Sequence, residues 1–369
     1  MNQLFRWNQM GLFLLALAAG ILPFAVPEVC AAALREGLTL CSGPLLLSLF
    51  PFLVVSRLLI QCPESDLLAL PFRLAAWGIG IRTPCAARVL CIGFLGGFAP
   101  AASAAAQAVR TGQLTAEEAD ALLPACICSG PSFVVLTVGQ SLLGSAELGV
   151  LLFASQITAN YLTAALLNRF AGVRSVKPGS AAPASPAPPR LDEILADAAI
   201  TYCKLCGFIL FFRMLAAGAG ALLPAGAGTL CSVLLEVCSG CDLASRTGKW
   251  GSLLCCAALS VQGLSVLLQV RTICPPEMTL RPLYRARMLH LPLSLALFYL
   301  LRPGGEADVF STLPDRVLLM RRVPPDCALL VFAVCCMAAC ALRSGIRQVE
   351  QKQMARNAGG CCINSKTLL

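Results

Sequence analysis

The sequence is short of charged residues and nearly devoid of histidine. Charged side chains make up 13% of the 369 residues, and there is one His, whereas an ordinary soluble domain carries about 25% charged residues. Hydrophobic residues reach 57%, and the mean hydropathy is +0.77. This balance excludes a soluble domain and predicts an all-α protein that crosses the lipid bilayer several times.

The chain also lacks the motifs on which enzymes depend. It has no nucleophile motif, phosphate-binding loop or cluster of paired carboxylates. Its one histidine, His290, lies in a short apolar run beside Arg287, where we expect it at the membrane interface. The sequence therefore predicts a protein that is not an enzyme and that uses no cofactor.

Cysteine, by contrast, is abundant at 21 residues. Two pairs, Cys203/Cys206 and Cys238/Cys241, have the spacing of zinc ligands. Both pairs lie in or beside apolar runs, and no histidine accompanies them. We therefore interpret them as small apolar residues that let helices approach closely, and we predict no metal site.

Ten apolar runs recur along the chain. They cover residues 10–26, 38–60, 89–109, 121–143, 148–167, 200–223, 229–244, 253–273, 289–301 and 327–342. A full span needs about 20 apolar residues, so the short runs 229–244 and 289–301 are candidates for re-entrant or interfacial segments. The predicted fold is a multi-pass transmembrane helical bundle with broken or re-entrant helices.

A segment rich in proline and alanine divides the chain. Residues 172–190 contain five prolines and no periodic apolar face, which is typical of a linker. The region around the first apolar run resembles a signal peptide, but the many spans that follow favour an uncleaved span. The predicted organisation is an N-terminal span (1–30), a first half (31–171), a linker (172–196), a second half (197–303), and a C-terminal span with a basic tail (304–369).

The net charge of +9 indicates membrane topology and not a nucleic-acid partner, because Lys and Arg collect in cytoplasmic loops. The linker and the C-terminal tail are both basic, so both are predicted to face the cytoplasm. Five apolar runs separate them. At least one of these runs must therefore enter and leave the membrane by the same face.

Two of the apolar runs are interrupted in the same way. Residues 129–133 (SGPSF) and 262–266 (QGLSV) each place a polar residue, Gly, an apolar residue, Ser and an apolar residue in that order. Lipid cannot satisfy a loosened backbone, so such a break needs protein or a watery cavity beside it. Matching breaks in two halves indicate a substrate site in a repeat-built transporter.

Other features also recur in the two halves. The tripeptide RTG occurs at residues 110–112 and 246–248, and each copy follows a run rich in small residues (93–107 and 233–245). These recurrences predict two related halves, and they leave open whether the halves are parallel or inverted. After the first RTG, Thr115 and Glu118 have the spacing of a capping box that opens a helix.

Glu236 and Asp242 are the candidate functional residues among the ionisable side chains inside apolar runs, where charge is costly. Six residues correspond to about 600° around a helix, so they lie on different faces unless the chain breaks at residues 239–240. Glu236 either binds a coupling proton, a cation or a substrate hydroxyl, or ends a helix at the interface. Asp242 is expected to pair with Arg246 four residues on.

Polar and small residues around the breaks form the candidate binding site. Their amides and hydroxyls suit a neutral polar ligand, but such groups also hydrogen-bond helix to helix inside bundles, and both interpretations remain open. The candidate substrate-binding residues are Pro100, Ser103, Ser129, Gly130, Ser132, Thr137, Glu236, Ser239, Gln262, Gly263, Ser265 and Gln269.

Seven segments resemble the motifs of one family. Residues 44–60 resemble its PSLLPFFIISELL segment, 93–104 its GxPxGA, 113–123 its LTxxEAxxLL, 128–133 its NNSGPLF, 137–139 its TVG, 234–237 its LLEM/V and 263–269 its GLSVHxQ. The family is the YlbJ family of sporulation integral membrane proteins, a branch of the nucleoside-recognition, or Gate, membrane domains. The resemblance covers about residues 25–345.

The resemblance implies a bacterial cell-membrane protein of endospore formation, with a fold shared with solute carriers. This chain departs from the family pattern where it has Ala99, Ala101, Cys126, Cys128 and Leu268 in place of more polar residues. Two functions therefore stay open. One is binding or transport of a small polar, nucleoside-like solute, and the other is a structural role in spore-envelope or cortex assembly.

Overall fold

The computed structural model describes residues 2–62, 65–171 and 191–302, and within them it contains helices and no strand. The α-helices are α1 (Asn2–Ala25), α2 (Pro27–Ser42), α3 (Pro44–Gln61), α4 (Ser65–Leu68), α5 (Leu70–Gly78), α6 (Pro84–Gly96), α7 (Phe98–Arg110), α8 (Ala116–Cys126), α9 (Ala146–Ala171), α10 (Leu191–Leu222), α11 (Ala225–Leu235), α12 (Val237–Ser245), α13 (Gly251–Val261), α14 (Gly263–Ile273) and α15 (Arg281–Leu301). A π-helix covers Ser132–Leu142, and a 3-10 turn covers Gly248–Trp250.

Three stretches of the described chain are long and apolar enough to cross a membrane. They are α9, α10 and the combined stretch Gly248–Ile273. A fourth is possible if α1 and α2 form one span, although these two helices are bent by 109° where they meet. The all-helical prediction is thus confirmed for the described residues, and the apolar helices are compatible with membrane embedding.

Some predicted segments fall outside the described residues. These are residues 172–190 of the predicted linker and the whole predicted C-terminal span and tail (304–369). The helix α10 begins at Leu191. The last residues of the predicted linker, 191–196, are therefore already helical.

The predicted interruptions are present in the structure. No helix covers residues 127–130, between α8 and the π-helix. The second break, between α13 and α14, is a single residue, Gln262, whose φ of 63° is left-handed. The helical hydrogen bonding is therefore interrupted in both stretches, at residues 127–130 and at Gln262, while residues 131–133 and 263–266 of the predicted breaks are helical. The second interruption leaves Gly248–Ile273 as one candidate span.

At two further interruptions, consecutive short helices fold back on each other and form hairpins: α6 with α7, and α11 with α12. The first lies at Gly97, whose φ of 80° favours glycine. Across it, α7 folds back along α6, because a Cβ on Gly93 would lie 3.2 Å from the Ala101 Cβ. The second lies at extended Glu236, where a Cβ on Gly240 would lie 2.8 Å from the Val233 Cα. Small residues permit both close approaches.

The open ends of the two hairpins lie near opposite ends of α10. The end of the first hairpin, Arg110, lines one cavity with Asp197 near the start of α10. The start of the second hairpin contacts the end of α10, where a Cβ on Gly228 would lie 3.1 Å from the Gly220 Cα. The two hairpins therefore enter the bundle from opposite directions.

The broken stretch of α8 and the π-helix runs antiparallel to α9. Asn168 of α9 donates to the Ala121 carbonyl at 3.1 Å, and Asn160 donates to the Ile127 carbonyl at 3.3 Å. Further along, Gly149 of α9 lies so close to the π-helix that a Cβ there would be 2.8 Å from the Val135 Cα. These contacts run in order along α9, so this broken stretch extends through the bundle alongside an unbroken helix.

Candidate functional site

The first break is held by side chains from α15, from α9 and from the second break. The Ile127 carbonyl, just beyond α8, accepts hydrogen bonds from Arg287 at 2.7 Å, Asn160 at 3.3 Å and Gln262 at 3.5 Å. The carbonyl end of a helix carries partial negative charge, which suits the Arg287 cation. Protein groups therefore satisfy the backbone that lipid could not.

The second break depends on glycine at position 263. Its φ is 71°, and a Cβ there would lie 2.9 Å from the Glu236 backbone nitrogen and from the Leu235 carbonyl. The adjacent Gln262 is fully buried, and its amide donates to the Ile127 carbonyl of the first break. The second break thus contacts both the first break and the tip of the second hairpin.

Glu236 forms the tip of that hairpin and is 2% exposed. Its carboxylate accepts hydrogen bonds from the backbone N–H groups of Cys238 at 2.8 Å and Ser239 at 2.7 Å, and so caps α12. The positive end of the helix dipole favours this negative charge. The chain breaks here and not at residues 239–240, where the sequence had offered a break, since Ser239 and Gly240 lie inside α12.

A cavity of about 60 Å³ lies where these interruptions meet. Its polar lining comes from both halves of the chain, with Ser129 and Ser132 from the first and Glu236 and Gln269 from the second. The rest is largely apolar and includes Leu45, Leu49, Leu95, Phe98, Phe133, Ile209, Val237 and Val266. At roughly 15 Å³ per water position, this volume holds about four waters, well below the 300–1,000 Å³ typical of pockets for drug-sized ligands.

Two buried side-chain oxygens, one on a residue that lines this cavity and one at the neighbouring break, have no hydrogen-bond partner among the described residues. The Gln269 amide donates to Ser265 at 2.9 Å, but its oxygen has no hydrogen-bond partner in the described part of the chain. The Gln262 side-chain oxygen is buried and equally unpartnered there. Buried acceptors nearly always find a donor, so each of these atoms calls for a water or a ligand.

The structure brings together five of the twelve predicted site residues and sets the others at various distances from the cavity. Ser129, Gly130, Ser132, Glu236 and Gln269 line it. Directly behind them lie Ser239, Gln262, Gly263 and Ser265, which contact lining residues or the neighbouring break. Pro100 packs against Gly96, Thr137 lies within the π-helix, and Ser103 lines a different cavity.

Sequence reasoning missed Arg287 and placed His290 wrongly. Arg287 counted as one of several basic residues flanking a short apolar run, but it lies inside α15 and is 7% exposed. The expectation of an interfacial His290 is wrong, because its ring is buried and its Nε2 lies 3.2 Å from the Gln156 carbonyl. Extending the helical periodicity back to Arg281 would have placed Arg287 and His290 on one face, three residues apart.

Other local predictions hold. Thr115 and Glu118 form a capping box at the start of α8, and Arg246 pairs with Asp242 at 2.8 Å. Among the described residues, no group of three or more His, Cys, Asp or Glu side chains is arranged to hold a metal ion; the absence of a metal site at the two CxxC pairs stays a prediction.

No family model, curated protein or solved structure matches this chain. The geometry of the site, and the resemblance of seven segments to a known family, are therefore what point to a function.

Proposed function

We propose that this chain is a multi-pass protein of a bacterial cell membrane that binds or transports a small polar solute at the cavity between its helix breaks. The observation that carries the proposal is the convergence of interruptions from two distant chain segments on one cavity with a buried carboxylate, Glu236. Helix breaks at membrane depth are tolerated beside such a cavity. The resemblance to sporulation proteins extends the proposal to a role in endospore formation.

The arrangement of the elements supports two halves of inverted topology. Each half contains a hairpin, an RTG turn, a broken helix and a long helix, in that order. The hairpins enter from opposite ends of α10, and their tips, Gly97 and Glu236, lie beside the two breaks. Inverted repeats around a central site suit alternating access, in which one half moves against the other.

The size and chemistry of the cavity bear on its cargo. A volume of about 60 Å³ accommodates a cation that has shed most of its hydration shell, or a very small solute. A nucleoside-like solute would require the hairpin tips to separate. Glu236 offers a negative charge for a coupling proton or cation, while Ser129, Ser132 and Gln269 offer hydrogen bonds to a neutral ligand.

A thermal-shift experiment on purified full-length protein tests this proposal. A solute that binds the folded state at 100 times its Kd stabilises it by about 2.7 kcal/mol. We expect at least one compound from a panel of nucleosides, other small polar metabolites and Na⁺ to raise the Tm of the wild type. The Glu236→Gln variant should lose this response, and Glu147→Gln, an exposed glutamate in the first turn of α9, should keep it.

The alternative function is a structural role in spore-envelope or cortex assembly. The observation that favours it is the small, mostly apolar cavity. In that case no compound shifts the Tm, and sporulation depends on the presence of the protein but tolerates both Glu236→Gln and Gln269→Leu. Loss of sporulation in a folded, membrane-inserted Glu236→Gln variant contradicts the structural role.

A further inference from the structure

A second cavity, separate from the one between the helix breaks, lies between the ends of α3, α7 and α14 and the first turns of α10. Its volume is about 160 Å³, which is room for roughly ten waters. Three cationic residues line it: Arg57 from α3, Arg110 at the end of α7, and Lys204 from α10. Among the described residues, Asp197 is the one carboxylate in its lining.

Arg57 is the buried anchor of this cavity, since its side chain is 10% exposed. Its two terminal nitrogens donate to Asp197 at 2.5 Å and to Thr201 at 3.2 Å. Its Nε atom has no hydrogen-bond partner in the described part of the chain. Since Asp197 is 62% exposed, water screens its negative charge and it offsets Arg57 only in part.

The lining therefore carries two more positive than negative charges and holds an unsatisfied buried donor. Within the described residues, Arg110 makes one long hydrogen bond, of 3.5 Å, to the Ile273 carbonyl, and Lys204 is exposed. The Ser103 and Thr272 hydroxyl groups complete the lining. Guanidinium groups bind phosphate oxygens through charge-assisted hydrogen bonds. Basic pockets between helices at a membrane surface bind phosphate-bearing headgroups in the same way.

We propose that this cavity is a binding site for a phosphate-bearing anion, at the end of the bundle where α10 begins. Such a phosphate comes either from the headgroup of an anionic lipid or from a soluble phosphate ion or ester. In both cases Arg57, Arg110 and Lys204 provide the positive charge. The site is independent of the solute site proposed at the helix breaks, since the two cavities share no lining residue.

Two binding measurements on the full-length protein distinguish the sources. The first follows the Tm of delipidated protein in detergent as inorganic phosphate replaces chloride at constant ionic strength. The second uses native mass spectrometry to count lipids retained after exposure to phosphatidylglycerol or to phosphatidylcholine. Stabilisation by phosphate supports the site with a soluble ligand, and selective retention of phosphatidylglycerol supports it with a lipid.

Variants tie the binding to this cavity. Lys204→Gln and Arg110→Gln each remove an exposed cation and should weaken binding about tenfold. Lys249→Gln, an exposed lysine distant in the chain, is the matched control and should leave binding unchanged. Asp197→Asn removes the opposing charge and should tighten binding about threefold.

Lys204→Gln should weaken binding and Asp197→Asn should tighten it. A folding defect would weaken binding in both variants, so it cannot produce this pair of results. The proposal is overturned if neither ligand binds. It is equally overturned if Lys249→Gln weakens binding as much as Lys204→Gln does, or if Asp197→Asn weakens it.

Discussion

The Arg287 guanidinium lies 2.7 Å from the Ile127 carbonyl, so a buried cation of α15 closes the end of α8 at the first helix break. It also reaches the Ser260 carbonyl at 3.4 Å, near the second break. The Arg287 side chain thus connects both helix breaks to α15.

Replacing Arg287 should therefore loosen the site. We expect Arg287→Gln to lower the free energy of unfolding by about 1.5–3 kcal/mol, the value of hydrogen bonds to a charged group. Arg285→Gln, an exposed arginine two residues earlier on the same helix, should change it by less than about 0.5 kcal/mol. Denaturant titration in detergent measures both, and equal effects in the two variants would show that the Ile127 contact contributes nothing.

The glycines at the breaks should resist substitution. Gly263→Ala combines a left-handed φ of 71° with a Cβ only 2.9 Å from the backbone of Leu235 and Glu236. We expect a loss of about 2–3 kcal/mol, from backbone strain and this clash. Gly207→Ala in α10 has open space around its Cβ and should gain up to about 1 kcal/mol through helix propensity. A stable Gly263→Ala variant would contradict the break geometry.

Asp120 should contribute more to stability than an ordinary acidic residue near the start of a helix. Its buried carboxylate accepts hydrogen bonds from the Thr279 backbone at 2.8 Å, the Thr279 hydroxyl at 2.7 Å and the Leu280 backbone at 3.1 Å. Asp120→Ala should lower the Tm, with a cost of about 3 kcal/mol from unsatisfied buried donors. Exposed Glu117→Ala is the comparison on the same helix, and it should leave the Tm nearly unchanged.

Membrane orientation also follows from the arrangement of charges. The cavity near the start of α10 gathers Arg57, Arg110 and Lys204, and the basic linker precedes α10. By the positive-inside rule we predict that this end of the bundle faces the cytoplasm. Reporter domains fused after Ser185 and Asn364 should both be active on the cytoplasmic side, while a protease site inserted beside Lys249 should be cleaved from outside. External activity of either fusion would refute this orientation.

The sequence by itself determined the class of this protein and two of its helix breaks. The chain has little charge and recurrent apolar runs. In lipid, such runs satisfy their backbone N–H and C=O groups by forming helices. The polar–Gly–apolar–Ser pattern pointed to both breaks, because its residues interrupt apolar runs; the structure places the breaks at residues 127–130 and at Gln262. The capping box at Thr115 and the ion pair at Asp242 were also predictable, since both depend on residues within one helical turn.

Only the tertiary structure decided where the remaining turns occur and which residues meet. The apolar run around Gly97 continues through it, and Glu236 interrupts its run by one residue, so hydropathy does not reveal that α7 and α12 fold back. Arg287 looked like a loop cation, since nothing near it in the chain offers a partner; its partner, the Ile127 carbonyl, is 160 residues away. Contacts between residues far apart in the sequence also decided the place of Ser103. The packing of α3, α7, α10 and α14 puts it at the second cavity, away from the helix breaks.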